Sequence, residues 1–219
     1  MNLVWIPPQT TVLGSDAHYP EEAPAREVTV DGFWIQPYQV TNAQFTEFVD
    51  ATGYVTVAER PVDPDDFPGA PPENLVPGSM VFQRTAGPVD LRHLNLWWTW
   101  TPGACWNHPR GPRSSLKGRE QHPVVHIAFA DAENYADWAG LALPTEAQWE
   151  TAARGGLAGA AYTWGDEPEQ AGERLAGGRR SRGGAVRGGR GAIRRSARPD
   201  HRAPVRGVLH GGASAGDCF

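Results

Sequence analysis

The chain has 219 residues, a formal net charge of −5 and two cysteines, so it is long enough for one domain with a hydrophobic core and lacks a disulfide framework. The charge is uneven: residues 1–176 carry nine Arg, one Lys and 23 acidic residues, whereas residues 177–219 carry ten Arg and two Asp. No long apolar run and no secretory signal pattern is present, which predicts a cytoplasmic protein without a membrane partner.

The aromatic residues are as unevenly distributed as the charge. All nine Trp, all five Tyr and six of the seven Phe lie before Gly165. A segment dominated by Arg, Gly and Ala cannot bury enough apolar surface to offset the entropy of ordering it. We therefore predict a folded domain over residues 1–176 and a disordered tail over residues 177–219. The tail lacks interleaved aromatics and a regular repeat, which disfavours nucleic acid as a partner.

The first predicted element is a β-hairpin. The chain contains 26 Gly and 20 Pro, which divide it into short segments and predict an α+β fold with little regular secondary structure. Residues 27–40, EVTVDGFWIQPYQV, alternate β-branched and aromatic residues around Asp31 and Gly32. An Asp-Gly pair between two such runs is typical of a tight turn that joins paired strands.

A helix is predicted directly after this segment. Residues 41–53, TNAQFTEFVDATG, begin with Thr41 and Gln44 at the spacing of a capping box. Phe45 and Phe48 then fall on one face of the helix, which we expect to be buried. Gly53 suits the left-handed position that ends many helices.

The next stretch is long, irregular and rich in Pro. Its residues Asp63, Asp65 and Asp66 could ligate a hard cation, but they lack the regular spacing of a calcium loop, which favours a solvated surface loop. Residues 94–112, LNLWWTWTPGACWNHPRGP, then place four Trp within ten residues.

These Trp residues admit two interpretations. Aromatic and Arg side chains anchor many peptide interfaces, so the segment could line a peptide groove. Alternatively the Trp residues pack the core of an irregular domain. The candidate substrate-binding residues are Trp97, Trp98, Trp106, His108 and Arg110. Cys105, which lies among them, is predicted to be a small buried apolar residue.

The segment around His122 and His126 resembles a metal motif only in its spacing. Residues 123–129, PVVHIAF, predict a strand, on which residues four apart stand roughly 13 Å from each other. Pro123 and the Val pair oppose a helix, in which the two imidazoles could share an ion. We therefore predict no metal site here.

Two further helices follow. Residues 131–140, DAENYADWAG, predict a helix capped by Asp131 with Tyr135 and Trp138 facing inward. Residues 143–156, LPTEAQWETAARGG, repeat the capping-box pattern and are predicted to place Trp149 inward. The capping pair is Thr145 with Gln148, and the residue beyond the helix is Gly155.

Two long motifs carry a family resemblance. Residues 20–59, PEEAPAREVTVDGFWIQPYQVTNAQFTEFVDATGYVTVAE, resemble the opening of the sulfatase-modifying-factor superfamily. Residues 122–156, HPVVHIAFADAENYADWAGLALPTEAQWETAARGG, are similar to its second signature, and residues 77–112 resemble the formylglycine-generating enzymes of that superfamily. The resemblance extends from about Leu3 to Ala176.

The resemblance implies an oxidase. Such enzymes use molecular oxygen and copper(I) to convert one cysteine of a C-x-P-x-R motif in a sulfatase polypeptide, the implied partner, into formylglycine. The implied fold is a C-type-lectin-like variant that is poor in regular secondary structure and often binds calcium. Two thiolates at C-x4-C spacing suit a cuprous ion.

The sequence departs from this family after Ala176. The W-E-W segment, the catalytic cysteine pair and the R-x-A-A-R motif do not occur in residues 177–219. Arg, Gly, Ala and Pro have GC-rich codons, so we interpret these residues as out-of-frame translation that truncates the domain. We therefore expect a chain that binds neither copper nor calcium, has no catalytic residue and is inactive; the alternative is a non-catalytic peptide- or protein-binding module.

An incomplete domain has a predicted energetic consequence. The inward faces of the three helices would lose partners, at about 1.5–3 kcal/mol for each large apolar side chain exposed. The inward residues concerned are Phe45, Phe48, Tyr135, Trp138 and Trp149. Because domains are stable by only about 5–15 kcal/mol, we expect marginal stability.

Overall fold

A computed structural model of the chain describes residues 2–17, 19–157 and 159–166, and the backbone of three short strands beyond them. The strands are β1 Val4–Ile6, β2 Gln9–Leu13, β3 Arg26–Val30, β4 Phe33–Ile35, β5 Gly78–Phe82, β6 Trp98–Pro102, β7 Glu169–Gln170, β8 Glu173–Arg174 and β9 Ile193–Arg195. The α-helices are α1 Asn42–Thr52, α2 Phe129–Trp138 and α3 Glu146–Arg154. Five single 3-10 turns lie at Pro20–Glu22, Val57–Glu59, Pro64–Asp66, Pro72–Asn74 and Leu94–Leu96.

This composition confirms the predicted mixture of helix and strand. Apart from the backbone of β9, the predicted tail over residues 177–219 lies outside the described residues. The chain divides into two compact units. The first contains residues before Gln39 and residues after Ala139, and the second is Gln39–Ala139. No described helix has the length and apolar character needed to cross a membrane.

The first unit contains a long antiparallel ribbon. β1 pairs with β4 and β2 pairs with β3, in one register that runs from Val4↔Ile35 to Leu13↔Arg26. The ribbon is interrupted where residues 7–8 and residues 31–32 separate the two pairs of strands. β4 also pairs with β9, which gives a three-stranded sheet in the order β1-β4-β9.

The predicted hairpin at Asp31 and Gly32 is therefore wrong in its pairing, although both of its strands exist. A two-residue hairpin turn needs a positive φ at its glycine, and Gly32 does not adopt one. A Cβ at Gly32 would overlap the Trp5 ring, so close packing against that ring favours glycine here. Both strands find their partners in the N-terminal segment instead.

Helix α3 covers one face of this ribbon. Val30, Phe33 and Ile35 form a buried cluster, against which Ala147 and Ala152 of α3 pack. The predicted capping box of α3 is confirmed: the Thr145 side chain accepts from the Gln148 backbone N–H, and the Gln148 side chain accepts from the Thr145 N–H. Gly155 ends the helix with a φ of 57°, as predicted.

The second unit is built around α1 and α2. The predicted capping box of α1 is confirmed between Thr41 and Gln44, and Gly53 ends the helix in the left-handed conformation. Phe45 and Phe48 are 1% and 2% exposed, which confirms that their face is buried. The helix therefore begins, ends and faces inward as its sequence indicates.

Helix α2 begins earlier than predicted. Its N-cap is Ala128, and Asp131 is the third helical residue, so the predicted cap at Asp131 is wrong by one turn. The Oδ2 atom of Asp131 accepts a hydrogen bond of 2.9 Å from the Ala128 N–H. The Asp131 carboxylate thus provides a hydrogen-bond acceptor for a backbone N–H at the start of the helix. The side chain of an N-cap alanine has no such acceptor.

The predicted strand over residues 123–129 is also wrong. The segment makes one isolated bridge, between Pro123 and Thr41. His126 then takes a φ of 58°, which turns the chain out of the extended conformation before α2 begins.

Aromatic rings fill the core of the second unit. Phe45 stacks on Tyr135 with ring centroids 5.7 Å apart, and its edge meets Trp106 at 5.2 Å. Phe45, Phe48 and Tyr135 are all at most 2% exposed, so the expectation that they lack partners is wrong. Trp138 is 41% exposed and contacts Phe48 and Tyr135 with part of its ring.

Candidate functional site

The Trp-rich segment forms a β-hairpin. β5 and β6 pair from Gly78↔Pro102 to Phe82↔Trp98. Cross-strand aromatic contacts stabilise such a pair, and here the Phe82 ring lies 5.6 Å from Trp98 and 6.3 Å from Trp97. Phe82, Trp97 and Trp98 are referred to below as the aromatic group. Phe82 is 55% exposed and the two Trp are half-buried, so the group faces solvent in part.

A tight turn follows at the other end of β6. Residues 105–114, here the 105–114 turn, begin with a reciprocal pair of backbone hydrogen bonds between Cys105 and His108. The hydroxyl group of Ser114 donates to the Gly111 carbonyl and accepts from the Arg110 N–H, at 2.7 and 2.9 Å. Side chains of the turn therefore bind its own backbone.

The turn folds back on the strand that precedes it. A Cβ at Gly111 would stand 3.1 Å from the Thr101 methyl group, and one at Gly103 would stand 2.6 Å from the Pro112 ring. Gly111 also has a φ of 95°, a conformation that a residue with a side chain rarely adopts. The two glycines therefore allow the turn to lie close against the end of β6.

His108 and Arg110 are presented by this turn. The Nδ1 atom of His108 donates to the Ser114 carbonyl oxygen at 2.6 Å, because a carbonyl only accepts. Nδ1 therefore holds the proton of a neutral His108 and leaves Nε2 free to accept. The Arg110 side chain is exposed. Both predicted residues are thus held in place by backbone contacts while their side-chain ends can meet a ligand.

Trp106 lies apart from these two residues. It is 5% exposed and packs on Phe45 in the core. The structure therefore places Trp97 and Trp98 in the aromatic group and His108 and Arg110 on the turn. Trp106 therefore fits the interpretation of core packing, whereas Trp97 and Trp98 are partly exposed.

Cys105 is buried, as predicted. Its thiol donates to the Asn107 side-chain oxygen over 3.0 Å, and the residue is 5% exposed. Burial raises the pKa of the Cys105 thiol, and the charge of Glu59 raises it further. A thiol held neutral in this way is a poor nucleophile and a poor copper ligand.

The histidines and aspartates considered as metal ligands do not converge. His126 points its Nε2 at the Pro109 carbonyl, while the exposed His122 contributes its own backbone carbonyl to the start of α1. Asp63 caps the Asp65 backbone N–H in an exposed loop. No three His, Cys, Asp or Glu side chains within the described ranges could hold one ion.

Sequence reasoning missed a buried polar network. Asp131 has no exposed surface, and its Oδ1 atom accepts from the Tyr54 hydroxyl and the Val57 N–H, each at 3.0 Å. Arg60 donates to the Tyr54 oxygen at 2.9 Å and lies over the Tyr54 ring. The motif T-x-x-E at Thr56, which caps the turn after Tyr54, was the available signal for order in this segment.

The sequence of β6 sets the distance between the two exposed features. The aromatic group lies at the start of β6 and the 105–114 turn folds against its end. Trp98 and Thr101 are three residues apart in β6, and three residues of a strand span about 10 Å along its axis. Because of this odd spacing, the side chain of Thr101, which the turn contacts, and that of Trp98 point to opposite faces of β6. The hairpin and the turn after it therefore present partly exposed aromatic rings, an imidazole and an exposed arginine within a short stretch of the chain.

Comparison with known proteins gives a consistent result. Residues 1–199 match the family described as the sulfatase-modifying factor enzyme 1-like domain. The chain is 55% identical over 174 residues to the formylglycine-generating enzyme of Mycobacterium tuberculosis, a match that covers 80% of this chain and 58% of that protein.

Two further similarities place this match in context. The chain is 39% identical over 173 residues to the inactive C-alpha-formylglycine-generating enzyme 2 of Mus musculus, covering 75% of this chain and 51% of that protein. PvdO from Pseudomonas aeruginosa aligns with a TM-score of 0.42 and 24% identity, over 72% of this chain and 48% of that chain. The chain spans about half the length of the curated relatives it matches.

Proposed function

Because the chain belongs to the sulfatase-modifying factor enzyme 1-like family, we propose that it carries the substrate-binding half of a formylglycine-generating oxidase. The implied substrate is a sulfatase polypeptide with a C-x-P-x-R motif. The observation that carries the proposal is the placement of Arg110 and His108 on a fixed turn that packs against the end of β6, the strand whose first residue is Trp98 of the aromatic group.

The dimensions of the surface support a peptide ligand. A five-residue motif in extended conformation covers four residue steps, about 13 Å. Trp98 and Thr101, where the 105–114 turn contacts β6, are about 10 Å apart along the strand and point to opposite faces, so a peptide that contacts both features would cross the strand. Trp97 and Trp98 offer flat apolar faces to the peptide, and the Arg110 guanidinium offers hydrogen-bond donors to the carbonyl oxygens of the peptide backbone.

The oxidation step is a separate question. Copper(I), when bound by two thiolates in this family, supplies the oxygen chemistry. The cysteines of this chain are Cys105 and Cys218; the first is buried with a raised thiol pKa, and the second lies outside the described residues. Cys105 does not fit a copper site, so we propose that these 219 residues bind the peptide without oxidising it.

The nature of residues 177–219 belongs to the same proposal. Their Arg, Gly and Ala content and the end of the family motifs at Ala176 support out-of-frame translation. Re-reading the nucleotide sequence around codon 176 tests this. Another frame that encodes W-E-W and a C-x4-C pair supports an intact oxidase gene. If no frame encodes them, the out-of-frame interpretation is wrong.

The lectin-like fold variant and calcium binding by a complete domain are proposed on the family resemblance, and the cytoplasmic location on the presence of two cysteines that form no disulfide framework. The exposed loop with Asp63, Asp65 and Asp66 does not gather a ligand set for calcium, since Asp63 is used to cap Asp65. For these residues a solvated loop remains the better description.

A peptide-binding experiment tests the proposed function. A fluorescent C-x-P-x-R peptide is titrated with the protein, and a peptide with Ser in place of Cys and Ala in place of Pro and Arg is the control. Trp98→Ala and Arg110→Ala are each expected to weaken binding at least about fivefold, about 1 kcal/mol. Arg119→Ala, which changes an exposed Arg elsewhere in the unit, should leave binding unchanged.

The alternative function is a binding module for another peptide or protein. It is favoured by the similarity to a mouse relative whose name describes it as inactive. Mass spectrometry of the C-x-P-x-R peptide after incubation with copper(I) and oxygen separates the possibilities. Formylglycine in the product contradicts the proposed lack of oxidation. Equal affinity for the motif and the control peptide contradicts recognition of the sulfatase motif and leaves the alternative.

A further inference from the structure

His126 has an unusual backbone conformation. Within the described part of the chain, His126 is the only non-glycine residue with a positive φ, which is 58°. For an L-residue with a side chain this conformation is strained and persists where the surroundings enforce it.

The segment around His126 is fixed on both sides. Before it, the Val124 N–H donates to the Val40 carbonyl at 3.0 Å. After it, Ile127 is 6% exposed and Ala128 forms the N-cap of α2. The left-handed residue lies between these anchors and turns the imidazole toward the 105–114 turn.

The imidazole reaches the backbone of that turn. The Nε2 atom of His126 lies 3.0 Å from the Pro109 carbonyl oxygen, and it must be the donor because the carbonyl only accepts. The other side-chain bonds that shape the turn come from Cys105, His108 and Ser114, which are residues of the turn itself. His126 therefore ties the turn to the start of α2 across 17 residues of sequence.

We propose that His126 is a positioning residue for the 105–114 turn. It fixes Pro109, the residue between His108 and Arg110, and so determines where these two side chains stand relative to β6. The proposal rests on the proposed peptide-binding function for its purpose. In physical terms, the strained backbone of His126 places its imidazole where it can donate to the Pro109 carbonyl, and this hydrogen bond holds the turn in one conformation.

Amide hydrogen exchange and peptide affinity, measured on the full chain, test this. His126→Gly removes the imidazole and relieves the strained φ, so its overall stability should be maintained. The N–H groups of Gly111 and Ser114, which donate within the turn, should exchange about three- to tenfold faster, the range expected when one hydrogen bond is lost. The affinity for the C-x-P-x-R peptide should fall by a similar factor.

A control and a second variant keep the test decisive. His122→Ala alters an exposed histidine four residues away and should leave both readouts unchanged. If His126→Gly fails to fold, His126→Asn replaces it. Asn tolerates the left-handed conformation, but its shorter side chain withdraws the donor from Pro109, so the same faster exchange is expected.

The outcomes separate this inference from the proposed function. Unchanged exchange at Gly111 and Ser114 in the folded variant overturns the positioning role, as does an equal rise in exchange across both helices of the unit. If the wild-type protein does not bind the peptide, the proposed function fails, and the exchange data still decide the role of His126.

Discussion

The Tyr54 hydroxyl donates a hydrogen bond of 3.0 Å to Oδ1 of Asp131, a carboxylate with no exposed surface. Burial raises the pKa of Tyr54, and the hydrogen bond to Asp131 raises it further. Arg60 completes the chain by donating to the Tyr54 oxygen. A buried carboxylate that accepts three hydrogen bonds thereby joins the segment after α1 to the first turn of α2.

Replacement of Asp131 should be strongly destabilising. In Asp131→Asn one carboxylate oxygen becomes an NH2 donor that must face either the Ala128 N–H or the pair of donors from Tyr54 and Val57. A buried donor left facing another donor costs about 1–3 kcal/mol. We expect the free energy of unfolding in urea to fall by that amount.

Tyr54→Phe is the matched control for this variant. It removes one hydrogen bond to Asp131 and leaves the two backbone bonds in place, so the expected loss is about 1 kcal/mol. A loss in Asp131→Asn no larger than that in Tyr54→Phe would show that the carboxylate is not the centre of the network.

Tyr135 should make stability fall at high pH. Its side chain is 2% exposed, its hydroxyl has no hydrogen-bond partner among the described residues, and burial raises its pKa to about 12, with the charge of Glu47 contributing. In the unfolded chain a tyrosine titrates near pH 10. Tyr135 therefore keeps its proton to a higher pH in the folded state than in the unfolded chain. The free energy of unfolding is unaffected below about pH 10 and falls by on the order of 2–3 kcal/mol as the pH rises toward 12.

Tyr135→Phe isolates this contribution. At about pH 8 the variant should unfold at the same urea concentration as the wild type or higher, because the deleted hydroxyl has no described partner. Between about pH 10 and 12 its stability should fall less steeply than that of the wild type. Parallel pH profiles for the two proteins would contradict the assignment of a raised pKa to Tyr135.

A methyl group at Gly78 should distort the hairpin that carries the aromatic group. A Cβ there would stand 2.5 Å from the Thr101 carbonyl oxygen, and backbone cannot move aside as a side-chain end can. Overpacking of this kind costs about 1–3 kcal/mol, so Gly78→Ala should lower the melting temperature and weaken peptide binding. Gly87→Ala, where nothing lies within 4 Å of the added atom, should change neither quantity.

The capping box of α3 should contribute measurably to stability. Thr145→Ala removes the acceptor of the Gln148 N–H, at an expected cost of about 1 kcal/mol, while Thr145→Ser keeps it. The measurement is the urea midpoint of the three proteins. If Ser and Ala lower the midpoint equally, the hydroxyl group is not what stabilises the helix start.

Local signals predicted α1 and α3 correctly because their ends are fixed by residues within the helix sequence. Thr41 with Gln44 and Thr145 with Gln148 start the two helices. The start of α2 was misplaced because Asp131 satisfies the Ala128 N–H from the third helical position, and its other partners are 74 and 77 residues away. Sequence spacing does not report such distant partners.

The errors in the strands have the same origin. The residues around Asp31 and Gly32 are locally typical of a hairpin in which β3 and β4 pair with each other. Both strands pair instead with residues 4–13, and this pairing extends over both strands in one register. The Val-rich segment before α2 is typical of a strand, but His126 is held in a left-handed conformation by contacts on either side. Both outcomes depend on partners that lie elsewhere in the chain.

For the candidate site, the sequence indicated which segment is involved but not which of its Trp residues are exposed and which are buried in the core. Four Trp in ten residues indicated either a groove or a core. The strand register puts Trp98 beside the exposed Phe82, whereas the turn after β6 directs Trp106 against Phe45. The bond from His126 to Pro109 could not be foreseen, because it depends on the strained φ.

The ribbon of the first unit has a consequence for synthesis on the ribosome. Its two arms are separated by a short loop, so they can pair within microseconds of leaving the exit tunnel. Their apolar cluster of Val30, Phe33 and Ile35 is covered by α3, which begins about 110 residues after β4 ends. At about 5–20 residues per second the nascent chain displays this surface for roughly 5–20 s, a window in which chaperone capture or aggregation competes with completion of the unit.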